Sequence, residues 1–361
     1  MEDLAVMGRT RSRDGLFRDT RVLVTGHTGF KGSWLVLCLH RLGARVTGIS
    51  LPPHTSPNLF SLAGIDKLCD SRFCDVREGA ALDAMIKQIR PEIVFHLAAQ
   101  PLVRTSYRDP VETFSTNVMG TAHVLDSLRG SEHTRVAVMV TTDKVYRDGN
   151  SQRPYHEDDA LGGHDPYSAS KAASEMVVAS YRDAFLAEQG VAISSARAGN
   201  VIGGGDWSED RLIPDAVRAW QEGRTLEIRR PHAIRPWQHV LEPLTGYLSL
   251  AEKLWRQPEL AGAYNFGPET HETATVRDVV ELARNRYGCG KVHYGNGGDG
   301  PHEAEWLALE IAKSADNLGF RPRWALAETV ENTMWWYREQ NEGAEARALC
   351  ETQISHYESS S

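Results

Sequence analysis

The stretch Arg21–Trp34, RVLVTGHTGFKGSW, constrains the fold more than any other part of the chain. Arg21-Val22-Leu23-Val24 is a short run of β-branched and Leu residues, the pattern of a strand buried on both faces. Gly26, Gly29 and Gly32 then follow at three-residue spacing, and Lys31 to Leu42 reads as a helix. A glycine triplet alone is a weak signal, but strand, glycine turn and helix in that order form a dinucleotide fingerprint. Gly26 allows the tight turn, Gly29 lets backbone approach a pyrophosphate, and Gly32 lets the helix pack close to the strand. The free N–H groups and partial positive charge at the helix start then face that pyrophosphate.

Composition narrows the function classes. A chain of 361 residues forms one large or two modest domains with a sizeable core. A net charge of −8 without a basic stripe argues against a nucleic-acid surface. No apolar run is long enough to span a bilayer. MEDLAVMGRTRSRDG lacks the apolar core of a secretory signal, so residues 1–17 read as a flexible leader and 346–361 as a flexible tail. The five cysteines, Cys38, Cys69, Cys74, Cys289 and Cys350, are odd in number and show no CxxC pair. That pattern predicts a reducing compartment, hence the cytoplasm, and no metal site.

Further strands are expected at Arg45–Ser50, Ser71–Cys74, Pro91–His96, Arg135–Thr141 and Val191–Arg197, with helices at Glu78–Arg90, Val111–Leu128 and Pro166–Gln189 between them. Apolar strands alternating with helices predict an α/β fold, a Rossmann-type doubly wound parallel sheet with a smaller mixed α/β C-terminal domain. The nucleotide domain is expected over residues 18–198, with 239–266 returning to it. Residues 199–238 and 267–345 then form the substrate domain. Ligands in such sheets bind beyond the carboxyl ends of strands. At the second such end stands Ser50-Leu51-Pro52-Pro53, with neither a carboxylate for an adenosine ribose nor an arginine for a 2′-phosphate. NAD versus NADP therefore stays open on that test, and Lys31 is one candidate for a 2′-phosphate. At the third end, Asp75 either bonds an adenine amino group or caps the next helix. Gly203-Gly204-Gly205 predicts a mobile loop, and Trp237 and the Met334–Tyr337 aromatics predict core packing.

Thr141-Thr142-Asp143-Lys144 follows the fifth strand, and Tyr167 and Lys171 lie four apart at the head of a long helix. Four apart is one helix face. A phenol titrates near 10, and a neighbouring ammonium favours its ionised form, so Tyr167 is a candidate base toward a hydroxyl. Asp143 and Lys144 are a candidate acid and base, provided that burial raises the one and lowers the other. The plainer alternative for them is an ion pair closing the strand.

The glycine turn with Tyr167 and Lys171 resembles the extended short-chain dehydrogenase/reductase superfamily. GHTGFKGSWL (Gly26–Leu35), HLAAQPLVR (His96–Arg104), STNVMGT (Ser115–Thr121), DPYSASK (Asp165–Lys171), RAGNVIGGGDW (Arg197–Trp207), DRLIPD (Asp210–Asp215) and IRPWQHVLEPL (Ile234–Leu244) look like the CDP-glucose 4,6-dehydratase family within it. That resemblance implies NAD as cofactor, CDP-glucose as substrate and a 4-keto-6-deoxy sugar nucleotide as product. Tyr167 takes the proton of the 4-hydroxyl, Lys171 holds the nicotinamide ribose and lowers the tyrosine pKa, Thr142 bonds the 4-hydroxyl, and Asp143 and Lys144 carry the elimination. Implied cofactor contacts are Gly26, Thr28, Gly29, Phe30, Lys31, Gly32, Asp75, Val76, Leu97, Ala98, Ala99, Gln100 and Thr116, with Tyr167 and Lys171. Implied substrate contacts are Gln100, Arg104, Asn200, Arg211, Leu212, Ile213, Arg235, His239, His302 and Glu303. A homodimer or homotetramer is expected, paired through Val111–Leu128 and Pro166–Gln189. A 4-epimerase, another nucleotide-sugar dehydratase and a non-catalytic cofactor sensor are the alternatives. The first needs no elimination pair, and the last usually loses Tyr or Lys.

Overall fold

The computed structural model describes residues 14–147, 153–296 and 306–360. Its central sheet holds β1 (Arg21–Thr25), β2 (Arg45–Ser50), β3 (Asp70–Phe73), β4 (Ile93–His96), β5 (Val136–Val140), β6 (Ala192–Ala198) and β7 (Ala263–Phe266). The spatial order is β7-β6-β5-β4-β1-β2-β3 and every pairing is parallel. The order reverses between β1 and β4, which opens a crevice at their carboxyl ends. Period-2 alternation explains why the strands read as unbroken apolar runs: Val22 and Val24 enter one core layer while Leu23 enters the other. β3, at the edge, is the most exposed strand.

The helices that matter for the site are α1 (Phe30–Arg41), α2 (Gly79–Ile89), α3 (Gly120–Ser127), α4 (Pro166–Tyr181), α5 (Leu212–Gln221), α6 (Leu241–Arg256), α7 (Val276–Tyr287), α8 (Leu326–Asn341) and α9 (Ala346–Ser359). α4 starts where it does because Asp165 accepts from the Ser168 N–H and Pro166 occupies the first turn. α7 starts on a reciprocal Thr275–Asp278 capping box. The two long helices expected at 111–128 and 166–189 are each interrupted by a π-helical turn, at Ser115–Met119 and at Arg182–Leu186. Beyond β6 the described residues form three small ladders. Val201–Ile202 runs parallel to Gln238–His239, Thr225–Ile228 parallel to Lys291–Tyr294, and Ile234–Arg235 antiparallel to Ala274–Thr275.

Two expectations are corrected here. The C-terminal stretch is a docked helix rather than a flexible tail. Leu349, Cys350, Gln353, Ile354 and Tyr357 lie on one face of α9 and are buried, and the Tyr357 hydroxyl donates to Glu242. Phe17, in the presumed leader, is likewise fully buried. The triglycine loop is packed rather than mobile. A Cβ on Gly204 would lie 2.0 Å from the Trp336 ring, and its carbonyl accepts from Trp34 Nε1 at 2.9 Å. These glycines serve close approach. Trp237, Met334, Trp336 and Tyr337 are buried in the core, whereas Trp335 is half-buried. Among the described residues no helix is long and apolar enough to cross a membrane.

Candidate active site

The glycine turn between β1 and α1 is built for close backbone approach. Gly26 has φ +78°, and a Cβ there would lie 2.7 Å from the Ala98 backbone nitrogen. A Cβ on Gly32 would lie 2.1 Å from the Gly26 carbonyl oxygen. Gly29 is different: a Cβ there meets only the Gly26 carbonyl, at 3.4 Å, so its outer side is open. It precedes α1, whose N-terminus has no side-chain cap and leaves its first N–H groups for a ligand. Thr28 braces the turn onto the end of β2 through Ser50 Oγ and the Leu51 carbonyl. The Thr25 hydroxyl accepts from the Leu97 and Ala98 N–H groups and ties the end of β4 to the turn. The cradle fits the pyrophosphate of a dinucleotide.

At the neighbouring strand end, Thr142, Asp143, Tyr167 and Lys171 come together, all buried. Thr142 Oγ1 donates to Asp143 Oδ1 at 3.0 Å and also hydrogen-bonds the Tyr167 phenol. Asp143 Oδ2 has no partner among the described residues, and a Cβ on Gly199 would sit 3.1 Å from it. Burial raises the Asp143 carboxyl above its ordinary range, against the opposing pull of Lys144, Thr142, Arg235 and Lys31. Burial pushes Tyr167 up to about 12, while the Thr142 hydrogen bond and the Arg211 charge oppose it. Lys171 donates to the Val140 carbonyl at 3.0 Å, and burial brings it down to about 8 with Glu175 opposing. The expected depression of Tyr167 by Lys171 is therefore corrected: burial dominates, and the downward pulls come from Thr142 and Arg211. Lys144 is half-buried, with Nζ 6.0 Å from the Tyr167 ring centroid. Of the Asp143–Lys144 pair, Asp143 is buried and Lys144 only half-buried.

Other predicted residues are placed as follows. Phe30 opens α1, half-buried. Asp75 does not cap α2. It is paired with Arg77 at 2.6 Å, and hydrogen bonds from that guanidinium hold its carboxyl low. Val76 is buried against Gly120. Leu97, Ala98 and Ala99 follow β4, half-buried, and Thr116 lies half-buried in the first π-helical turn. The Gln100 side chain is taken up by its own loop. It accepts from the Leu102 N–H and donates to the Leu102 carbonyl and Thr113. Lys31 does not turn outward toward a 2′-phosphate; it donates to the Tyr247 hydroxyl at 3.2 Å.

On the substrate side, Arg104 pairs with Asp210 at 2.6 Å and Arg211 with Asp206 at 3.1 Å. Leu212 and Ile213 form the first turn of α5, with Ile213 buried. Asn200 accepts the Gln238 N–H with its backbone carbonyl. Arg235 is buried and its charge reaches Asp143. His239 is corrected: it is fully buried between Trp34 and Trp324, and burial brings it down to about 3, so it is a core residue. His302 and Glu303 lie outside the described residues. Among the described residues no cluster of His, Cys, Asp or Glu is placed to hold a metal ion.

Sequence reasoning missed the support behind Lys171. Glu175, one turn further along α4, accepts from Thr141, Ser195 and Arg197, and forms a buried ion pair with Arg197 at 2.9 Å. Arg197 also donates to the Tyr146 hydroxyl and the Glu157 carbonyl. This network locks α4 to the ends of β5 and β6, and so fixes where Tyr167 and Lys171 stand. The i, i+4 step from Lys171 to Glu175 was its only sequence signal.

Comparison with known proteins agrees with this construction. The profile of the GDP-mannose 4,6 dehydratase family matches residues 23–333. A CDP-glucose 4,6-dehydratase of Salmonella typhimurium is 42% identical over 343 residues, covering 93% of this chain and 96% of that protein. A dTDP-glucose 4,6-dehydratase of Streptomyces antibioticus is 30% identical over 88% of this chain and 92% of its own. In fold, the chain is similar to the crystal structure of a dTDP-glucose 4,6-dehydratase from Bacillus anthracis in complex with NAD. The TM-score is 0.74 and the identity 23%, with 90% of this chain and 98% of that one covered. With a parallel sheet, a glycine cradle and a Thr-Asp-Tyr-Lys cluster at adjoining strand ends, the chain belongs to the nucleotide-sugar 4,6-dehydratase family.

Proposed function

We propose that the chain binds NAD and converts CDP-D-glucose to CDP-4-keto-6-deoxy-D-glucose. When bound, oxidised NAD supplies the hydride acceptor for C4, the same hydride later for C6, and a positive charge that favours the Tyr167 phenolate. Tyr167 takes the proton of the sugar 4-hydroxyl, and Thr142 orients that hydroxyl. Lys171, held by the Val140 carbonyl, reaches the nicotinamide ribose. A 4-ketone makes the C5 proton acidic, so elimination follows oxidation. Lys144 takes the C5 proton, and Asp143 gives a proton to the departing 6-hydroxyl. Arg211 and Arg235 bind the nucleotide diphosphate, a task suited to planar guanidinium forks.

The observation that carries this reading is the Asp143 carboxyl: buried, raised and, among the described residues, with one oxygen unpartnered beside Tyr167. A carboxyl whose hold on a proton is strengthened by burial suits the loss of a hydroxyl, a step for which a 4-epimerase has no use. Incubation with CDP-, dTDP-, UDP- and GDP-glucose tests it. A 4-keto product from CDP-glucose is expected, and a C4 epimer, or product only from another nucleotide, refutes it.

We also infer a homodimer through α3 and α4. Val111 and Phe114 on the short helix Pro110–Phe114 before α3, Met119 and Phe185 on the π-helical turns and Met176 on α4 expose large apolar side chains, a patch that a second copy covers. A cytoplasmic location fits five cysteines outside any disulfide, including the exposed Cys289.

A further inference from the structure

Arg104 and Asp210 are 106 residues apart in the chain, yet they form an ion pair at 2.6 Å. Arg104 lies on the short helix Val103–Arg108 after β4, and Asp210 lies in the turn before α5. The pair therefore joins the segment that follows β4 to the segment that lies beyond β6. It stands at the rim of the catalytic cluster. Arg211 is next in the chain and its charge reaches Tyr167, and the charges of Arg104 and Asp210 both reach Asp215 in the first turn of α5. α5 begins without a side-chain cap, so its first N–H groups are left for an anion.

Three guanidinium groups gather at the head of α5, and each meets one carboxylate: Arg104 meets Asp210, Arg211 meets Asp206 and Arg218 meets Asp215. They are not equally easy to part. The Asp206 side chain is 4% exposed and also accepts the Ser208 N–H. Arg218 is held besides by the Trp207 and Ser208 carbonyls. The Arg104–Asp210 pair is open to water, with side chains 40% and 28% exposed. Of these two, Arg104 has the firmer base. The buried Ser106 hydroxyl, two residues on, accepts from the Tyr167 N–H at 3.1 Å and donates to the Val103 carbonyl, which fixes the short helix to the first turn of α4. Asp210 has left-handed backbone, φ +59°, in an exposed turn, and among the described residues its carboxylate pairs with Arg104 alone. When another anion arrives, Asp210 is the partner that gives way.

We propose that Asp210 competes with the substrate's diphosphate for Arg104, and yields that guanidinium to a ligand that engages Arg211 and the head of α5 as well. No bond is made or broken; one carboxylate is exchanged for phosphate oxygens on the same planar fork. An exposed ion pair shifts an equilibrium by at most about fivefold, so the competitor weakens a diphosphate that has several other contacts without excluding it. Substrate and product carry the same diphosphate, so both are weakened alike, and Asp210 reclaims Arg104 as product leaves. The inference rests on the nucleotide-sugar reading of this cleft.

The test is binding of CDP, which carries the diphosphate without the sugar, to the full chain with NAD bound. Asp210→Asn and Asp210→Gly both place a residue that adopts left-handed backbone readily, and urea denaturation checks that each folds. Both variants should bind CDP about two- to fivefold more tightly than the wild type at low salt. Most of that gain should vanish at about 1 M salt, where the screening length falls to about 3 Å. Arg104→Met should bind CDP more weakly, and adding Asp210→Asn to it should bring no gain. Unchanged or weaker CDP binding in both Asp210 variants overturns the inference. So does a gain that persists at high salt or without Arg104, because Asp210 would then act on something other than that guanidinium. Each of these results leaves the nucleotide-sugar reading intact, whereas CDP that fails to bind the wild type overturns the two together.

Discussion

Replacing Gly32 with alanine should separate the glycine cradle from an ordinary turn. A Cβ at this position would lie 2.1 Å from the Gly26 carbonyl oxygen and 2.8 Å from both the Gly26 carbonyl carbon and the His27 Cα. All three neighbours are backbone, so no side chain can swing aside. Opening the first contact to 3.0 Å requires α1 to move from β1 by about 0.9 Å. Overpacking of this kind costs about 1–3 kcal/mol, and alanine's better helix propensity returns about 1 kcal/mol at most. A net loss of about 1–2 kcal/mol is expected by urea denaturation. The same movement carries the α1 N–H groups off the pyrophosphate, and losing about 1.4 kcal/mol there weakens NAD binding tenfold. Gly29→Ala is the matched control, because its Cβ meets only one atom, at 3.4 Å. It should fold normally yet bind NAD poorly, since its methyl occupies the ligand's side of the turn. A Gly32→Ala protein within about 0.5 kcal/mol of the parent, with unaltered NAD affinity, would refute this reasoning.

Asp143→Asn keeps the shape but cannot donate an acid proton. kcat for the 4-keto-6-deoxy product should fall about 10²- to 10⁴-fold, while wash-in of solvent deuterium at C5 persists; equal loss of both would assign Asp143 to an earlier step. Glu175→Gln leaves Arg197 buried without a counter-charge and should cost about 3–5 kcal/mol in urea denaturation, with a near-neutral result showing that the network is not needed for folding. Burial holds His27 at about 4 and His96 and His239 at about 3. These stay neutral in the folded chain while the unfolded chain protonates near 6.5. Stability should therefore decline as pH falls below about 6.5, by up to about 1.4 kcal/mol per pH unit for each histidine. The raised carboxyls Asp143, Asp215 and Glu242 act in the opposite sense, because as pH falls each takes up its proton earlier in the folded chain than in the unfolded one. A urea midpoint that does not move between about pH 7 and pH 5 would contradict that sign.

What the sequence made legible was local. The β1–α1 turn is continuous in the chain, and its strand, glycines and helix each carry their own short-range signal. The Tyr167–Lys171 step is likewise one helical turn, so the spacing alone places both on one face. What failed depended on distant partners. His239 sits in a segment that resembles a binding motif, but Trp34 and Trp324, remote in sequence, close around it. Asp75 is the local exception: of its two readings, adenine contact or helix cap, the cap fails because Arg77, only two residues on, takes the carboxyl. The α9 helix carried its signal at Leu349, Cys350, Gln353, Ile354 and Tyr357, a period near 3.6, but lying at the chain end it read as a tail. Lys31 sat inside a motif that explains its neighbours by backbone alone, and only the fold shows its amine donating to the buried Tyr247 hydroxyl.

The central claim is that one hydrogen leaves C4 of the sugar and returns at C6 within a single bound complex. CDP-glucose deuterated at C4 tests it directly, with the product analysed by mass and proton spectra. The account predicts deuterium in the C6 methyl group of the 4-keto product, undiluted by solvent. Deuterium returned to C4, or lost to water, would contradict it.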